Sequence, residues 1–404
     1  MHGRGEEEVR RRRRAAVAAT LALALAACSS GGDGGADGAA PRGAGADRDA
    51  PAAPDDDARY PGDEWDRVDA ADAGFDPAAL DQLGAAAEAG GSSCLVVTRD
   101  GAVVDERYFG AGAADVPAEA FSVTKSITST LVGIAQDEGD VDITDPAATY
   151  IPQWDGTPSA EVTVQDVLSN DSGRQWSLGL DYVELLRAPD KNAFGIGLGQ
   201  DVPPGRTWAY NNSAIQTLSA VLEAATGESP AEFAERTLFE PIGMRDSEMS
   251  TDAAGNTITF MGLQTTCLDL ARFGYLMLQG GTWDGEQVVS GDYVEQATAV
   301  SSTDLNACYG YLFWLNHRGP VASPVVATSG VGDNAIADGQ ILPGAPEDVF
   351  WALGFNDQVV AVIPSEGIVA VRMGARPPAE APFGRGELTT GVLSAVVAES
   401  QSGS

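Results

Sequence analysis

Segments with a β-strand pattern lie near both ends of this chain and enclose a long helical middle. Near the start, two runs rich in β-branched residues, 94–98 and 102–108, flank an Asp100-Gly101 hairpin signal. Near the end, runs of the same kind recur at 309–315, 349–354, 358–363 and 368–373. A single sheet assembled from both termini accounts for the two groups, so the middle must form an inserted lobe.

The middle of the chain, from about 125 to 300, has mainly helical patterns. Predicted helices there span 163–168, 213–225, 230–238 and 266–279. Two further helices are expected outside it, one beginning at Asp76-Pro77 and ending near residue 88, the other at about 387–398.

We therefore predict an α+β fold in which an antiparallel sheet built from both termini is flanked by helices. The sheet lobe is expected at about 67–121 and 305–400, and the inserted, mainly helical lobe at about 122–304. A cleft between two lobes is a favoured position for a functional site.

The first 27 residues have the pattern of an export signal. A basic block at 10–14 precedes the apolar stretch 15–27, which is too short to span a bilayer. The stretch ends in Leu25-Ala26-Ala27-Cys28, which resembles the bacterial lipobox, where the cysteine becomes the lipid-modified first residue. We predict a lipoprotein signal peptide at 1–27 and lipidation at Cys28, the alternative being an ordinary secretory signal.

Residues 28–66 are rich in Gly, Ala, Pro and Asp and have few large apolar side chains. Such a segment cannot bury enough surface to fold, so we predict a disordered tether there and one folded domain at 67–404. The expected location is extracytoplasmic, anchored by lipid to the bacterial cell membrane.

The composition excludes several classes of partner and cofactor. The net charge of −35 should repel nucleic acid and anionic headgroups, so we expect no nucleic-acid partner and favour a role of the acidity in solubility. The chain has only two histidines, His2 and His317, and no Cys-x-x-Cys, so we expect no metal and no cofactor. We expect a monomer.

Three cysteines follow Cys28, so at least one thiol of the exported chain must remain unpaired. Cys267 and Cys308 are candidates for a disulfide. Cys94 lies in an apolar strand pattern, and we expect it to be buried and unreactive.

Ser122 and Lys125 form the most informative short motif. Of 24 basic residues only Lys125 and Lys191 are lysines. An arginine cannot lose its proton in a protein, whereas a desolvated lysine can act as a base. Residues three apart on a helix share a face, so the hydroxyl and the amine would be neighbours. The alternative is a serine N-cap followed by an exposed lysine.

Other nucleophile arrangements fit the sequence poorly. A Ser-His-Asp triad would need His317, which follows a strand pattern and leads into a turn, and no Gly-x-Ser-x-Gly motif occurs. Neither lysine follows a glycine, which excludes a phosphate-binding loop. If a serine is the nucleophile, its base must be a lysine or a tyrosine.

Taken together, several segments resemble the serine β-lactamase and penicillin-binding protein superfamily, in its class C and esterase-like branch. Ser122-x-x-Lys125 is similar to its first motif and Tyr210-Asn211-Asn212 to its second. Longer matches are 162–173, 237–244 and 266–283, and the resemblance covers roughly residues 70 to 375. The segment from Leu270 to Trp283 and the pattern Trp208-x-Tyr210 are also similar to the branch that includes 6-aminohexanoate-dimer hydrolase.

The resemblance implies a serine hydrolase that acts through an acyl-enzyme. Ser122 would be the nucleophile, and Tyr210 its general base and later the general acid for the leaving group. Lys125 would lower the proton affinity of Tyr210 and share in proton transfer. Asn212 would orient the lysine and a substrate carbonyl, and the N–H of Ser122 would supply half of an oxyanion hole.

The third motif departs from the family pattern. Its best register is Ala352-Leu353-Gly354, with no lysine, and the second oxyanion N–H would come from about Phe355. The missing cation would remove a partner for a substrate carboxylate. We therefore favour a small-molecule or short-peptide ester or amide over β-lactams and D-Ala-D-Ala peptides. The rival hypothesis is a non-catalytic lipoprotein that binds cell-wall fragments.

Three residues after the Ser172-Gly173 pair are candidates for lining the cleft. Trp176, Asp181 and Tyr182 would either contact substrate or pack the two lobes together. Lys191, between Asp190 and Asn192, is expected to be a solvated loop residue.

Overall fold

The computed structural model of this protein describes residues 59–322 and 335–397. Its strands, in chain order, are β1 (Ser92–Arg99), β2 (Ala102–Tyr108), β3 (Ala118–Glu119), β4 (Glu248–Met249), β5 (Leu263–Thr265), β6 (Thr282–Trp283), β7 (Glu286–Gln287), β8 (Trp314–Leu315), β9 (Gly319–Ala322), β10 (Ala335–Gly339), β11 (Phe350–Gly354), β12 (Gln358–Ile363) and β13 (Ile368–Gly374).

The main sheet has six strands in the order β2-β1-β13-β12-β11-β8, and every neighbouring pair is antiparallel. It joins the first two strands of the chain to the last ones through the β1–β13 pairing, in which Val96 lies opposite Val371. The predicted α+β fold, with a sheet built from both termini, is confirmed.

The helices, in chain order, are α1 (Pro77–Ala89), α2 (Val123–Glu138), α3 (Val164–Leu168), α4 (Leu185–Arg187), α5 (Lys191–Gly197), α6 (Asn212–Thr226), α7 (Pro230–Ala234), α8 (Glu240–Ile242), α9 (Cys267–Leu278), α10 (Gly291–Thr298) and α11 (Arg385–Ala395). Short 3₁₀ turns lie at Ala147–Thr149, Pro152–Trp154, Pro158–Glu161 and Pro364–Glu366, and π-helical turns at Leu180–Glu184 and Glu235–Phe239. The terminal helix α11 begins and ends a few residues earlier than predicted.

Helices cover both faces of the sheet. Side chains alternate between the faces of a strand, so neighbouring residues identify which helix lies on which face. On one face, Trp351 donates from its indole N–H to the Thr389 hydroxyl of α11 at 3.0 Å. On the other, α9 approaches so closely that a Cβ on Gly274 would lie 2.5 Å from a Val369 methyl group. That glycine therefore sets the spacing between α9 and the sheet.

The helix α2 runs through the interior of the molecule. Every residue from Val123 to Ala135 is buried, which agrees with its mixture of apolar and small polar side chains. The helix ends at Gly139, whose left-handed φ of 85° allows the chain to turn away after the last carbonyl groups. Because α2 lies beside both β11 and α6, it holds its first turn at the boundary between the sheet and the helical lobe.

The strand predicted at 309–315 is wrong for most of its length. Only Trp314 and Leu315 lie in β8. The chain reverses direction before them: Gly310 N–H donates to the Phe313 carbonyl at 3.0 Å, and Leu312 has a φ of 58°. A residue in that left-handed region cannot continue a strand.

The expected pairing of the cysteines is also wrong. Cys94 of β1 forms a disulfide with Cys267 at the start of α9, with the two Cα atoms 6.4 Å apart. Cys308 is the free, buried thiol. Its Sγ is 3.2 Å from the His317 carbonyl, to which it donates. The disulfide ties the sheet to the helix that packs on it.

The folded region begins earlier than residue 67, where the predicted tether gives way to the domain. Trp65 is buried and its ring lies 6.4 Å from that of Tyr275. Arg272 donates to the main-chain carbonyls of Pro61 and Gly62. The predicted signal peptide and Cys28 lie outside the described residues. Of the helices in residues 59–322 and 335–397, none has the length and apolar character needed to cross a membrane.

Candidate active site

Ser122 lies at the start of α2, directly after a residue with strained backbone. Phe121 has a φ of 48°, in the left-handed region that large side chains rarely adopt. The Ser122 side chain makes no capping hydrogen bond to the helix, and Lys125 is only 1% exposed. The alternative interpretation, a capping serine followed by an exposed lysine, is therefore wrong.

Lys125 projects from the first turn of α2 toward the serine. Its Nζ donates to Ser122 Oγ at 2.8 Å and to the main-chain carbonyl of Phe260 at 2.7 Å. Burial disfavours the charged amine and lowers its pKa to about 7, against a smaller opposing effect of Asp181. The amine can therefore exchange a proton near neutral pH, which an exposed lysine cannot do.

Tyr210 completes the group predicted from the sequence. Its hydroxyl is hydrogen-bonded to Ser122, and its ring centre lies 4.7 Å from Lys125 Nζ. Burial raises the pKa of Tyr210 above its usual value, which outweighs the opposing effect of the Ser122 hydrogen bond. The resemblance implied a lowered proton affinity for this tyrosine. In the structure burial acts in the opposite direction and favours the neutral phenol.

An aromatic cluster that the sequence did not reveal fixes the ring of Tyr210. Trp314 of β8 stacks on it, with ring centres 6.0 Å apart and an interplanar angle of 24°. Tyr309 and Trp208 pack edge-on or tilted against the same ring at 6.4 Å. The phenol thus has little freedom to turn away from Ser122.

Asp181 and Trp176 lie beneath the site and not on its surface. Asp181 has no exposed area and accepts four hydrogen bonds. The donors are the N–H groups of Asn212 (2.6 Å) and Ser213 (3.1 Å), the Ser213 hydroxyl (2.6 Å) and the Trp176 indole (3.1 Å). Of the two interpretations of these residues, packing between segments fits and substrate contact does not.

Tyr182 is half-buried beside Asn212, and the two side chains share a hydrogen bond. Burial and the nearby Asp181 carboxylate raise the pKa of Tyr182. Asn212 is 4% exposed, and its Oδ1 has no partner among the described residues. The lysine that Asn212 was expected to orient is bonded to Ser122 and Phe260 instead.

The end of β11 forms the opposite side of the site. Gly354 passes so close to the segment before Ser122 that a Cβ there would lie 2.3 Å from the Ala120 carbonyl oxygen. The next residue, Phe355, packs its ring edge-on against Phe121, with centres 5.7 Å apart. Within the described residues, the N–H groups of Ser122 and Phe355 donate no hydrogen bond. Both N–H groups are therefore unbonded within the part of the chain that the structure describes, as the donors of an oxyanion hole must be before a substrate binds.

Two buried side chains hold the turn that follows Gly354. Gln358 donates to the carbonyls of Phe355 and Asn356, at 3.0 and 3.3 Å. Arg372 of β13 donates to the carbonyls of Asn356 (2.6 Å) and Asp357 (3.0 Å). The turn is thereby fixed from below, although its sequence shows no sign of this support.

Lys191 is not the solvated loop residue that was expected. It is 8% exposed, lies at the start of α5, and its Nζ donates to the Ala188 carbonyl at 2.9 Å. Its main-chain N–H bonds Asp252 at 2.7 Å. Among the described residues, no group of three or more His, Cys, Asp or Glu side chains could hold a metal ion.

The sequence of this chain is similar to those of known proteins. The chain is 27% identical to 6-aminohexanoate-dimer hydrolase of Paenarthrobacter ureafaciens over 239 residues. That match covers 54% of this chain and 60% of the relative, so it spans less than two thirds of the relative's length.

Solved structures show the same fold. A Bacillus anthracis protein described as a 6-aminohexanoate-dimer hydrolase superposes with a TM-score of 0.64 at 21% identity, covering 85% of this chain and 87% of that one. A Bacteroides dorei protein described as a β-lactamase gives a TM-score of 0.63 at 18% identity, covering 80% and 99%. The model of the Beta-lactamase family matches residues 77–389, a range that contains Ser122, Lys125 and Tyr210. This range is most of the chain, so the protein belongs to the Beta-lactamase family.

Proposed function

We propose that this protein is a serine hydrolase that cleaves an ester or amide through an acyl-enzyme formed at Ser122. The observation that carries the proposal is the 2.8 Å contact between Ser122 Oγ and Lys125 Nζ, an amine whose pKa is lowered to about 7 by burial. A serine hydroxyl is a weak nucleophile until a neighbouring base accepts its proton, and a neutral amine at this distance can do so.

In the proposed acylation step, the neutral Lys125 amine accepts the Ser122 proton while Oγ attacks the substrate carbonyl carbon. The N–H groups of Ser122 and Phe355 bind the resulting oxyanion. The Tyr210 phenol then gives its proton to the leaving group and regains one from Lys125. Water then releases the acyl group: Lys125 accepts a proton from the water as its oxygen attacks the acyl carbon, the bond between that carbon and Ser122 Oγ breaks, and Lys125 returns the proton to Oγ.

The substrate preference follows from the end of β11. The register Ala352-Leu353-Gly354 has no cation to bind a substrate carboxylate, so an ester or amide without that group is favoured. The Paenarthrobacter relative is named for the 6-aminohexanoate dimer, an amide that keeps one carboxylate. Its name therefore supports amide cleavage by a member of the family, whereas the preference against carboxylates rests on the sequence at the end of β11 alone.

Two alternatives remain to be tested against this proposal. One is a β-lactamase or D-Ala-D-Ala carboxypeptidase, and the other is a non-catalytic lipoprotein that binds cell-wall fragments. The nucleophile, amine and phenol arranged within one hydrogen-bonded group favour an enzyme.

We further propose that the protein is exported, anchored to the membrane through lipid at Cys28, and monomeric. Incorporation of labelled palmitate into the full-length protein tests the anchor. The Cys28→Ala variant should incorporate none, and equal labelling of that variant would refute lipidation at this position.

Labelling with a fluorophosphonate probe tests the nucleophile. The full-length protein should react at Ser122, and the Ser122→Ala variant should not. Labelling that survives in the variant would overturn the proposal, because it would place the reactive hydroxyl elsewhere.

Turnover of short-chain nitrophenyl esters separates the enzyme from the binding protein. Hydrolysis should exceed that of the Lys125→Met variant, and equal rates would favour the binding protein. Nitrocefin, measured alongside, should be turned over slowly; hydrolysis faster than that of the best ester would favour the β-lactamase alternative.

A further inference from the structure

Two phenyl rings lie beside the proposed oxyanion hole and take no part in the proposed catalytic steps. Phe355 carries one of the two unbonded N–H groups itself, and Phe121 forms the peptide bond that carries the other, the N–H of Ser122. The two rings pack edge-on, with centres 5.7 Å apart and an interplanar angle of 70°. A carbonyl oxygen bound between the two N–H groups would therefore have its substituents within a few ångströms of these rings.

We propose that Phe121 and Phe355, the phenyl pair, bind the acyl chain of the substrate. The protein should then prefer esters or amides of acids whose chain is apolar and uncharged. This inference rests on the proposed function, because it names the acyl group that the same site accepts.

The Phe355 ring is not needed to hold its own turn. It is 54% exposed, and of the five large apolar side chains exposed in the described part of the chain it is the only aromatic one. The turn is fixed from below by Gln358 and Arg372, through hydrogen bonds to main-chain carbonyls. Single exposed apolar side chains are ordinary on protein surfaces. What distinguishes this ring is its position beside the serine.

The Phe121 ring is held in place by a rigid main chain. The Phe121 carbonyl accepts hydrogen bonds from the Thr124 N–H at 3.1 Å and from the Thr124 hydroxyl at 2.6 Å. The φ of 48° at Phe121 is one that glycine or asparagine adopts with less strain, and the ring remains partly exposed. The phenyl pair is thus a preformed apolar corner, which can bind a chain without first being ordered.

The phenyl pair lies on the acyl side of the scissile bond. In the proposed mechanism the leaving group departs toward Tyr210, which gives it a proton. The Tyr210 ring is packed against Trp208, Tyr309 and Trp314. Among the described residues, neither ring of the phenyl pair packs against it, and Phe355 lies on the opposite wall of the site. The group left beside the phenyl pair is therefore the acyl chain.

The chemistry of the phenyl pair selects for apolar surface. A phenyl ring offers neither a hydrogen-bond donor nor a charge, and the adjacent Ala352-Leu353-Gly354 has no cation. Each methylene group buried against such rings strengthens binding by up to about fourfold. A longer aliphatic acyl chain should therefore bind more tightly than an acetyl group.

A series of nitrophenyl esters tests this preference, because the leaving group stays constant while the acyl chain grows. For the full-length protein, kcat/KM should rise by about two- to fourfold for each methylene added from acetate to hexanoate, after correction for alkaline hydrolysis of the same esters. Phe355→Ala should flatten the rise, and Phe355→Leu, which keeps an apolar side chain, should retain most of it. A flat series in the wild type, or an equally steep one in Phe355→Ala, would overturn the proposal.

Val397→Ala is the matched control, because Val397 is 55% exposed. Its main-chain N–H donates to the Gly74 carbonyl at 2.8 Å, and Gly74 lies beside Arg99 at the end of β1. The strand pairings place that end of the sheet opposite the end where Gly354 lies. The variant should keep the wild-type rise with chain length. A rise flattened as much as in Phe355→Ala would contradict binding at the phenyl pair.

Binding to the Ser122→Ala variant makes the test independent of turnover. Titration calorimetry with acetanilide and hexananilide compares two acyl chains on stable amides with one leaving group. The dissociation constant should be at least about tenfold lower for hexananilide, and Phe355→Ala in the same background should remove most of the difference. Equal dissociation constants, or no binding of hexananilide, would overturn the proposal even in an active enzyme. Failure of a probe to label Ser122 would instead count against the proposed function alone.

Discussion

The two sides of the candidate site present their chemistry by different means. The helix wall, formed by Ser122, Lys125 and Tyr210, offers a hydroxyl, an amine and a phenol from side chains. The strand wall, formed by Gly354 and Phe355, offers a main-chain N–H group, while the Phe355 ring itself is 54% exposed. A side-chain substitution should therefore abolish function on the helix wall, whereas only a backbone change should do so on the strand wall.

The buried side chains that support the two walls carry opposite charges. Asp181, an anion, accepts hydrogen bonds from main-chain N–H groups beneath the helix wall. Arg372, a cation with no exposed area, donates to main-chain carbonyls beneath the strand wall. A buried charge is tolerated where several hydrogen bonds satisfy it, and each support matches the polarity of the backbone groups it holds.

The largest effect is expected from Lys125→Met, which keeps the length of the side chain and removes the amine. General acid–base catalysis contributes about 10²- to 10⁴-fold to a reaction rate. Because the variant leaves no other base in the helix wall, kcat/KM for a nitrophenyl ester should fall by about 10³-fold or more. The matched control is Lys191→Met, which removes the other buried lysine and should change kcat/KM less than about threefold. Equal losses in the two variants would mean that any buried lysine supports the fold and that neither acts as base.

Phe355→Pro and Phe355→Ala should separate backbone from side chain on the strand wall. Proline has no N–H, and the loss of one oxyanion donor typically costs about 10²- to 10³-fold in kcat. Alanine keeps the N–H and removes only the exposed ring, so kcat should change by less than about fivefold. If alanine were as damaging as proline, the aromatic ring and not the N–H would be the functional group of this wall.

A smaller effect is expected from Gly354→Ala. The added Cβ would lie 2.3 Å from the Ala120 carbonyl, so the strand and the serine segment must separate. A displacement of about 1 Å in a catalytic group can cost about 100-fold, and partial relaxation should leave a loss of 10- to 100-fold in kcat. The control is Gly197→Ala, an exposed glycine at the end of α5 with nothing within 4 Å of the added methyl group. Unchanged turnover by Gly354→Ala would show that the two walls need not approach this closely.

The distinction between side-chain and main-chain groups also explains which parts of the molecule could be predicted from the sequence. The sheet that joins both termini was predicted from strand patterns, and the proximity of Ser122 and Lys125 was predicted from helical spacing. Both predictions were possible because the periodicity of side chains along the sequence reflects strands and helices. The Phe260 carbonyl that binds Lys125 could not be foreseen, since every residue has a main-chain carbonyl. Asp181 was singled out, but a carboxylate in an irregular segment gives no sign of whether it faces a cleft or a helix end.

The disulfide was missed for a related reason. Cys94 and Cys267 are 173 residues apart, and three cysteines allow more than one pairing. Only the packing of α9 on the sheet, which Gly274 makes possible, brings the two together. Pairings that depend on how two elements pack have no local pattern from which to predict them.

The smallest effect, and a test of both walls at once, is the dependence of kcat/KM on pH. The base must be neutral to accept the Ser122 proton, and burial lowers the pKa of Lys125 to about 7, so activity should rise with pH and level off above that value. One unit below the pKa, at about pH 6, kcat/KM should be about one tenth of the plateau. Burial raises the pKa of Tyr210, so loss of its proton should not lower the rate before pH 9.

Because a main-chain N–H does not titrate in this range, Phe355→Pro should lower the plateau and leave the midpoint in place. A midpoint that moved with Phe355→Pro, or a wild-type profile flat down to pH 5.5, would show that the helix wall does not hold the titrating group.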